Sequence, residues 1–122
     1  MNILLVGIGG FFGSIARYAV SKASVILFGG KFPLGTLFVN VTGSFVLGCI
    51  IGAACFRSTA DENLKMLIGT GFIGAYTTFS TFSAETILLF QEGRYFSGIS
   101  NILINLFLSL SAVVLGMWLV KH

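Results

Sequence analysis

Long uncharged apolar segments alternate with short polar stretches along this chain. Each segment is long enough to cross a bilayer core of about 30 Å, which takes roughly 20 helical residues. The pattern predicts four transmembrane helices at about 3–21, 33–56, 64–90 and 97–120, joined by loops of which the first covers 22–31. Residues 1–122 are therefore predicted to form one all-α transmembrane domain with four helices.

The third segment contains a cluster of glycines and hydroxyls, GFIGAYTTFSTF at residues 71–82. Four hydroxyl side chains fall within the five positions 77–81. At membrane depth each needs a hydrogen-bond partner, because an unpaired polar group in hydrocarbon costs several kcal/mol. The cluster is either a small-residue packing face between helices or a helix break whose backbone and hydroxyls face an ion-bearing cavity. We favour a third helix that is broken near its middle.

Polar and small residues inside the second and fourth segments recur every four positions, which places them on one helix face. The stripes are Asn40, Ser44, Gly48 and Gly52 in the second segment, and Asn101, Asn105 and Ser109 in the fourth. The two glycines suit close helix packing. The amide of Asn40 is either an interhelical hydrogen-bond partner or a donor to an anion.

The first segment combines a close-packing motif with one charge. Gly9 and Gly13 form a G-x-x-x-G pair, which lets another helix approach closely. Arg17 lies one turn further along the same face. It either snorkels to the lipid headgroups or turns inward to hold carbonyls or an anion.

Composition places the chain in the bilayer and excludes several functions. Hydrophobic residues make up 56%, charged residues 9%, and the mean hydropathy is +1.00, whereas soluble domains carry about 25% charged residues. The single histidine, His122, excludes a His-based metal site or catalytic triad, and no nucleophile–base pair suggests an enzyme. The net charge of +3 is spread through the loops, so no nucleic-acid partner is predicted.

Basic residues are divided almost evenly between the two predicted sides of the membrane. One side holds Arg57, Lys65 and Lys121, and the other holds Lys22, Lys31 and Arg94, with Arg17 if it snorkels. An excess of Lys and Arg normally sets the orientation. The near balance predicts insertion in both orientations, and therefore an antiparallel, dual-topology homodimer.

Three ordered motifs carry a family resemblance. They are GGFFGSIARY at residues 9–18, GTLFVNVTGSF at 35–45, and GFIGAYTTFSTFSAE at 71–85. The chain resembles the Fluc (CrcB) fluoride channels of microbes. The resemblance implies a four-helix subunit in an antiparallel dimer of the cell inner membrane. It also implies two fluoride pathways, a central structural sodium ion and passive fluoride export.

The resemblance assigns roles residue by residue. It implies a fluoride pathway formed by Asn40, Phe79, Ser80, Thr81, Phe82, Glu85, Asn105 and Ser109. The backbone carbonyls of Gly74 and Thr77 would hold sodium, and Arg17 would be a vestibule or structural residue. Tyr76 departs from the family, since a smaller apolar residue is more familiar beside that sodium site.

The chemistry of these residues suits a small, strongly hydrated anion. Asn40, Ser80 and Thr81 can donate hydrogen bonds. Aromatic ring edges are positive, so Phe79 and Phe82 offer weak contacts of the kind that favour throughput. Taken without the motifs, these two rings are ordinary core phenylalanines. The alternative function is a small dual-topology, proton-coupled exporter of cations, which needs an intramembrane acid. Glu85, near a helix end, is the candidate.

Overall fold

The computed structural model describes residues 2–58 and 61–122, which are helical with short connections and contain no strand. The helices are α1 (Asn2–Phe28), α2 (Leu34–Gly52, continued by the π-helical Ala53–Arg57), α3 (62–76), α4 (Phe79–Gln91) and α5 (Tyr95–Lys121). α3 consists of Glu62–Leu64, the π-helical Lys65–Ile73 and Gly74–Tyr76. Three helical stretches, Asn2–Phe28, Leu34–Arg57 and Tyr95–Lys121, are long and apolar enough to cross a membrane. The all-helical prediction is confirmed.

The first helix is longer than the sequence pattern predicts. α1 continues through residues 22–28, which were predicted to be loop, and ends at Phe28. Residues 23–28 contain no glycine or proline, so nothing in the backbone stops the helix before Phe28. Gly29 ends it, with φ of +79° and its N–H donating to Val25 O at 2.9 Å. This left-handed glycine is a common helix C-terminal cap.

α1 and α3 approach each other backbone to backbone. A Cβ atom on Gly9 would collide with the carbonyl oxygen of Leu67, and one on Gly13 would collide with that of Phe72. Gly71 on α3 makes the corresponding close contact with α1, since a Cβ there would lie 2.8 Å from Val6 O. The predicted close-packing role of the first-helix glycines is confirmed, with α3 as the partner.

The glycine stripe of α2 packs against α5. A Cβ on Gly48 would collide with Val113 O, and one on Gly52 would lie 3.0 Å from Met117 Cα. From the other side, a Cβ on Gly116 would collide with Phe45 O. Because these contacts bring the two backbones together, the polar residues on the same faces of α2 and α5 are also brought within reach.

Buried side chains in the described residues are as often polar as apolar. The buried hydrophobic residues are Val39, Ile73, Leu89 and Ala112, and the buried polar residues are Thr36, Thr78, Thr86, Asn101 and Asn105. Many large apolar side chains face outward instead, and Phe96 is 86% exposed. This distribution fits a protein surrounded by hydrocarbon, in which interior polar groups bond mainly to one another.

Candidate functional site

Thr77 and Thr78, which we call the break, separate α3 from α4. Both residues are extended, with ψ of 157° at Thr77 and φ of −152° at Thr78. The N–H of Thr78 donates to Asn40 Oδ1 at 2.8 Å, and the N–H of Thr81 donates to Thr78 Oγ1 at 3.1 Å. Two side-chain oxygens therefore replace backbone acceptors and hold the break open.

The break releases backbone carbonyls, Gly74 O and Thr77 O among them, from their usual donors. In an uninterrupted α-helix the N–H of residue i donates to the carbonyl of residue i−4. The donors for Gly74 O and Thr77 O would therefore be the N–H groups of Thr78 and Thr81, which bond to side chains instead. Carbonyl oxygens at broken helices are common ligands of Na⁺. The donor chemistry at Gly74 and Thr77 thus fits the predicted sodium site.

Asn40 connects α2 to the break and to α5. Its Nδ2 donates to Thr78 O and to Asn105 Oδ1, both at 3.2 Å. Asn105 Nδ2 donates in turn to Asn101 Oδ1 at 2.8 Å, and Asn101 Nδ2 donates to Thr86 Oγ1 at 2.9 Å. Asn101 is fully buried and Asn105 almost so. The polar stripes of α2 and α5 therefore form one continuous network beside the break.

A groove of about 520 Å³ runs alongside this network. Its lining combines the polar residues Asn40, Ser44, Thr77, Thr78, Asn105 and Ser109 with Phe79, Phe82 and aliphatic side chains. The ring centroids of Phe79 and Phe82 are 5.5 Å apart and their planes are tilted by 50°. Phe79 is 78% exposed within the single chain, so little of its ring packs against the rest of the protein.

Comparisons with known proteins agree with the motifs. The family model described as CrcB-like protein, Camphor Resistance (CrcB), matches residues 4–117. The chain belongs to the CrcB family. A Shewanella amazonensis protein named Fluoride-specific ion channel FluC is 48% identical over 119 residues, which cover 98% of this chain and 95% of that protein. A protein of the same name from Shewanella putrefaciens is 50% identical with the same coverage. The predicted resemblance is confirmed.

In this member of the CrcB family, five of the predicted pathway residues come together around the groove. They are Asn40, Phe79, Phe82, Asn105 and Ser109. The Oγ of Ser109 is buried and has no hydrogen-bond partner among residues 2–58 and 61–122. An unpaired buried hydroxyl is costly, so Ser109 is available to a ligand in the groove.

Glu85 lies away from the groove. It lines a second cavity of about 220 Å³ together with Thr36, Lys31 and Arg94. Its Oε1 accepts a hydrogen bond from Thr36 Oγ1 at 2.9 Å, while Oε2 is buried without a partner in the described part of the chain. The structure therefore places Glu85 at a separate polar cavity, with the buried Thr36 as an anchor that sequence reasoning missed.

The remaining predicted residues do not line the groove. Ser80 Oγ lies 3.2 Å from Thr78 Oγ1, and Thr81 Oγ1 accepts from Thr78 Oγ1 at 3.1 Å, so both hydroxyls belong to the cap of α4. Arg17 is partly exposed on α1 and lies outside both cavities. Thr78 is the buried centre of the cap. Threonine is a preferred N-cap residue, and this preference is the signal by which Thr78 could have been found.

Tyr76 is accommodated by contacts with its neighbours. Its ring stacks on Phe72, with 5.7 Å between centroids. The hydroxyl of Thr42 donates to Phe38 O at 2.7 Å, which leaves Tyr76 as the donor in its 3.0 Å contact with Thr42. The larger side chain therefore ties the end of α3 to α2 beside the break.

Proposed function

We propose that this protein is a subunit of a fluoride-selective channel through which fluoride leaves the cell passively across the inner membrane. The names of the relatives, at 48% and 50% identity over nearly the whole chain, support a channel and not an enzyme or a cation exporter. The observation that carries the proposal is the buried amide network beside a groove that contains two phenylalanine rings. It supplies donors and weak ring-edge contacts without a lysine or arginine that would trap an anion.

Fluoride would move along the groove between Phe79, Phe82, Ser109 and the Asn40 amide. Both hydrogens of Asn40 Nδ2 are engaged, one with Thr78 O and one with Asn105 Oδ1. A fluoride ion that bonds to Asn40 would therefore take the place of one of these acceptors. Such an exchange keeps the number of hydrogen bonds constant, which makes binding weak enough for the ion to leave.

The assembly that we propose is an antiparallel homodimer of four-span subunits. α3 and α4 together would form the third span, broken at Thr77 and Thr78. The groove is open on one side, and Phe79 projects from the subunit with 78% of its surface exposed. A second copy would cover both. Gly74 and Thr77 carbonyls from the two copies would then hold the structural sodium ion.

Fluoride efflux from proteoliposomes tests the function. Purified protein is reconstituted into liposomes loaded with potassium fluoride, and efflux is started with an ionophore and followed with a fluoride electrode. We expect rapid release of fluoride and slow release of chloride from liposomes loaded with potassium chloride. Efflux no faster than from protein-free liposomes would reject the channel.

Dual topology predicts labelling from both sides of the membrane. A single cysteine, Glu62→Cys, is introduced on a Cys49→Ala and Cys55→Ala background. Glu62 is exposed at the start of α3. An impermeant maleimide should label about half of the molecules in sealed right-side-out vesicles, because the basic residues set no orientation. Labelling of all or none of the molecules before permeabilisation would contradict dual topology.

Sodium removal tests the proposed metal site. Replacing Na⁺ with N-methylglucamine should lower fluoride efflux or destabilise the dimer on size exclusion. Thr77→Val should retain the sodium effect, because the Thr77 hydroxyl donates to Ile73 O at 3.0 Å and the proposed ligand is the Thr77 carbonyl. Net sodium flux coupled to fluoride would show that sodium is transported, and would overturn the structural role.

A further inference from the structure

The backbone-to-backbone contacts divide the helices into two groups. α1 and α3 meet in this way at Gly9, and α2 and α5 meet at Gly48. α4 belongs with the second group, because Thr86 on α4 accepts a hydrogen bond from Asn101 on α5. The break is the point where the chain passes from the α1–α3 group to the α2–α4–α5 group.

Hydrogen bonds on the two sides of Thr77 hold it to different groups. The N–H and the hydroxyl of Thr77 both donate to Ile73 O at 3.0 Å, which fixes the preceding peptide on α3 and restrains φ. Asn40 binds the N–H and the carbonyl of Thr78, which fixes the following peptide on α2. The ψ torsion of Thr77, at 157°, lies between these two sets of bonds. It is therefore set by the position of α3 relative to α2.

Tyr76 joins α3 directly to α2. Its hydroxyl donates to Thr42 Oγ1 at 3.0 Å, two residues beyond Asn40 on α2. Within residues 2–58 and 61–122, this is the one side-chain hydrogen bond between the α1–α3 group and the α2–α4–α5 group. Gly43 permits the close approach, since a Cβ there would collide with Thr77 Cγ2.

We propose that Tyr76 is a positioning residue of the break, whose hydroxyl fixes ψ of Thr77 and thereby the separation of the Gly74 and Thr77 carbonyls. Gly74 O moves with α3, whereas Thr77 O belongs to the peptide that Asn40 holds on α2. Attachment to α2 at both Asn40 and Thr42 prevents α3 from turning about the break. Apolar packing does not itself drive helices together in lipid, so one such bond has a large share in the relative position of the groups. The inference rests on the proposed sodium site for what the two carbonyls bind.

A sodium titration of Tyr76→Phe tests the proposal. Phenylalanine keeps the ring that stacks on Phe72 and removes only the hydroxyl. The melting temperature is measured while N-methylglucamine is replaced by Na⁺ at constant ionic strength. We expect the sodium concentration for half of the maximal rise to increase about fivefold, the effect of one hydrogen bond that keeps the site organised. Tyr95→Phe is the matched control, because its ring also stacks on a phenylalanine, Phe90, and its side chain is exposed.

Changes at Thr42 test the same bond from its other end. Thr42→Val removes the acceptor and should raise the sodium midpoint as much as Tyr76→Phe, and the double variant should raise it no further. Thr42→Ser keeps the acceptor and should keep the midpoint near that of the wild type. A bond that only stabilised the fold would lower the melting temperature at every sodium concentration without moving the midpoint. That result would overturn the proposal.

Deuterium exchange tests the break without sodium or fluoride. In Tyr76→Phe the N–H groups of Thr77 and Thr78 should exchange about fivefold faster than in the wild type, whereas those of α5 should not change. Unchanged exchange at both threonines would overturn the proposal, even if the sodium midpoint moves. If neither variant folds, the hydroxyl protons of the wild type decide. That of Tyr76 should exchange more slowly than those of Tyr18 and Tyr95, which are exposed, and equal rates would overturn the proposal. A wild type that does not respond to sodium would reject the sodium site and leave the role of Tyr76 to these exchange rates.

Discussion

Asn40→Asp should lower fluoride efflux at least about tenfold, because two hydrogen bonds worth about 1 kcal/mol each would be lost at the ion pathway. The Asn40 amide donates to Thr78 O and Asn105 Oδ1. An ionised aspartate has only acceptors, so it would face both oxygens without a hydrogen between them. The bond from Thr78 N–H would remain, which should keep the helix break intact. The measurement is efflux per amount of reconstituted protein, with the size-exclusion profile as the folding control.

Asn63→Asp is the matched control for the change in charge. Asn63 is exposed near the start of α3 and lies outside the network, so the same substitution there should leave efflux close to that of the wild type. Near-normal efflux in Asn40→Asp would show that the amide only packs α2 against α5. It would also remove the main polar contact from the proposed pathway.

Phe79→Leu and Phe82→Leu should each reduce fluoride efflux by about tenfold or more, because leucine lacks the positive ring edge. Exchanges between apolar side chains of similar volume usually cost less than about 1.5 kcal/mol of stability. Both variants should therefore fold. This expectation is strongest for Phe79→Leu, because Phe79 is 78% exposed within the single chain. Phe79→Met should retain part of the activity, because methionine is flexible and polarizable. Fluoride efflux and size-exclusion elution are measured for each variant.

The response at the two positions need not be equal. Phe79 is the first residue of α4 and directly follows the break, so a change there also affects the proposed dimer axis. Phe107→Leu provides a control at a ring that is 61% exposed on α5 and does not line the groove. Full efflux in both Phe79→Leu and Phe82→Leu would eliminate the ring-edge mechanism. The family membership would still stand.

Features that depend on one helix face could be predicted from the sequence. The glycine pairs of α1 and α2 and the polar stripe of α5 follow from spacings of four residues. The structure adds which helix each face meets. That pairing depends on contacts between segments distant in the chain, and a spacing within one segment cannot specify the partner. The Asn40–Asn105 contact joins residues that are 65 positions apart.

The local chemistry of the break could be predicted only in part. Four neighbouring hydroxyls indicated an unusual backbone, but their individual roles depend on which acceptors lie nearby. Ser80 and Thr81 were expected in the pathway, whereas their hydroxyls contact the Thr78 cap. The predicted end of α1 near residue 21 was wrong, because the loop was predicted to begin at Lys22 and the helix continues to Phe28. The helix ends only at Gly29, whose positive φ favours glycine.

The glycine contacts between α2 and α5 have a consequence for biogenesis. α2 is synthesised before α5, the helix that covers Gly48 and Gly52, and α1, α3 and α4 also precede α5 in the chain. α2 must therefore be stable in the bilayer without α5 before the bundle closes, as expected when insertion precedes helix association. A nascent chain that stops after Gln91 would present Asn40 to lipid without Asn105. Such an incomplete product would keep the contacts between Asn40 and Thr78 but would leave one Asn40 N–H without its Asn105 acceptor in the membrane, which would distinguish it from the complete protein.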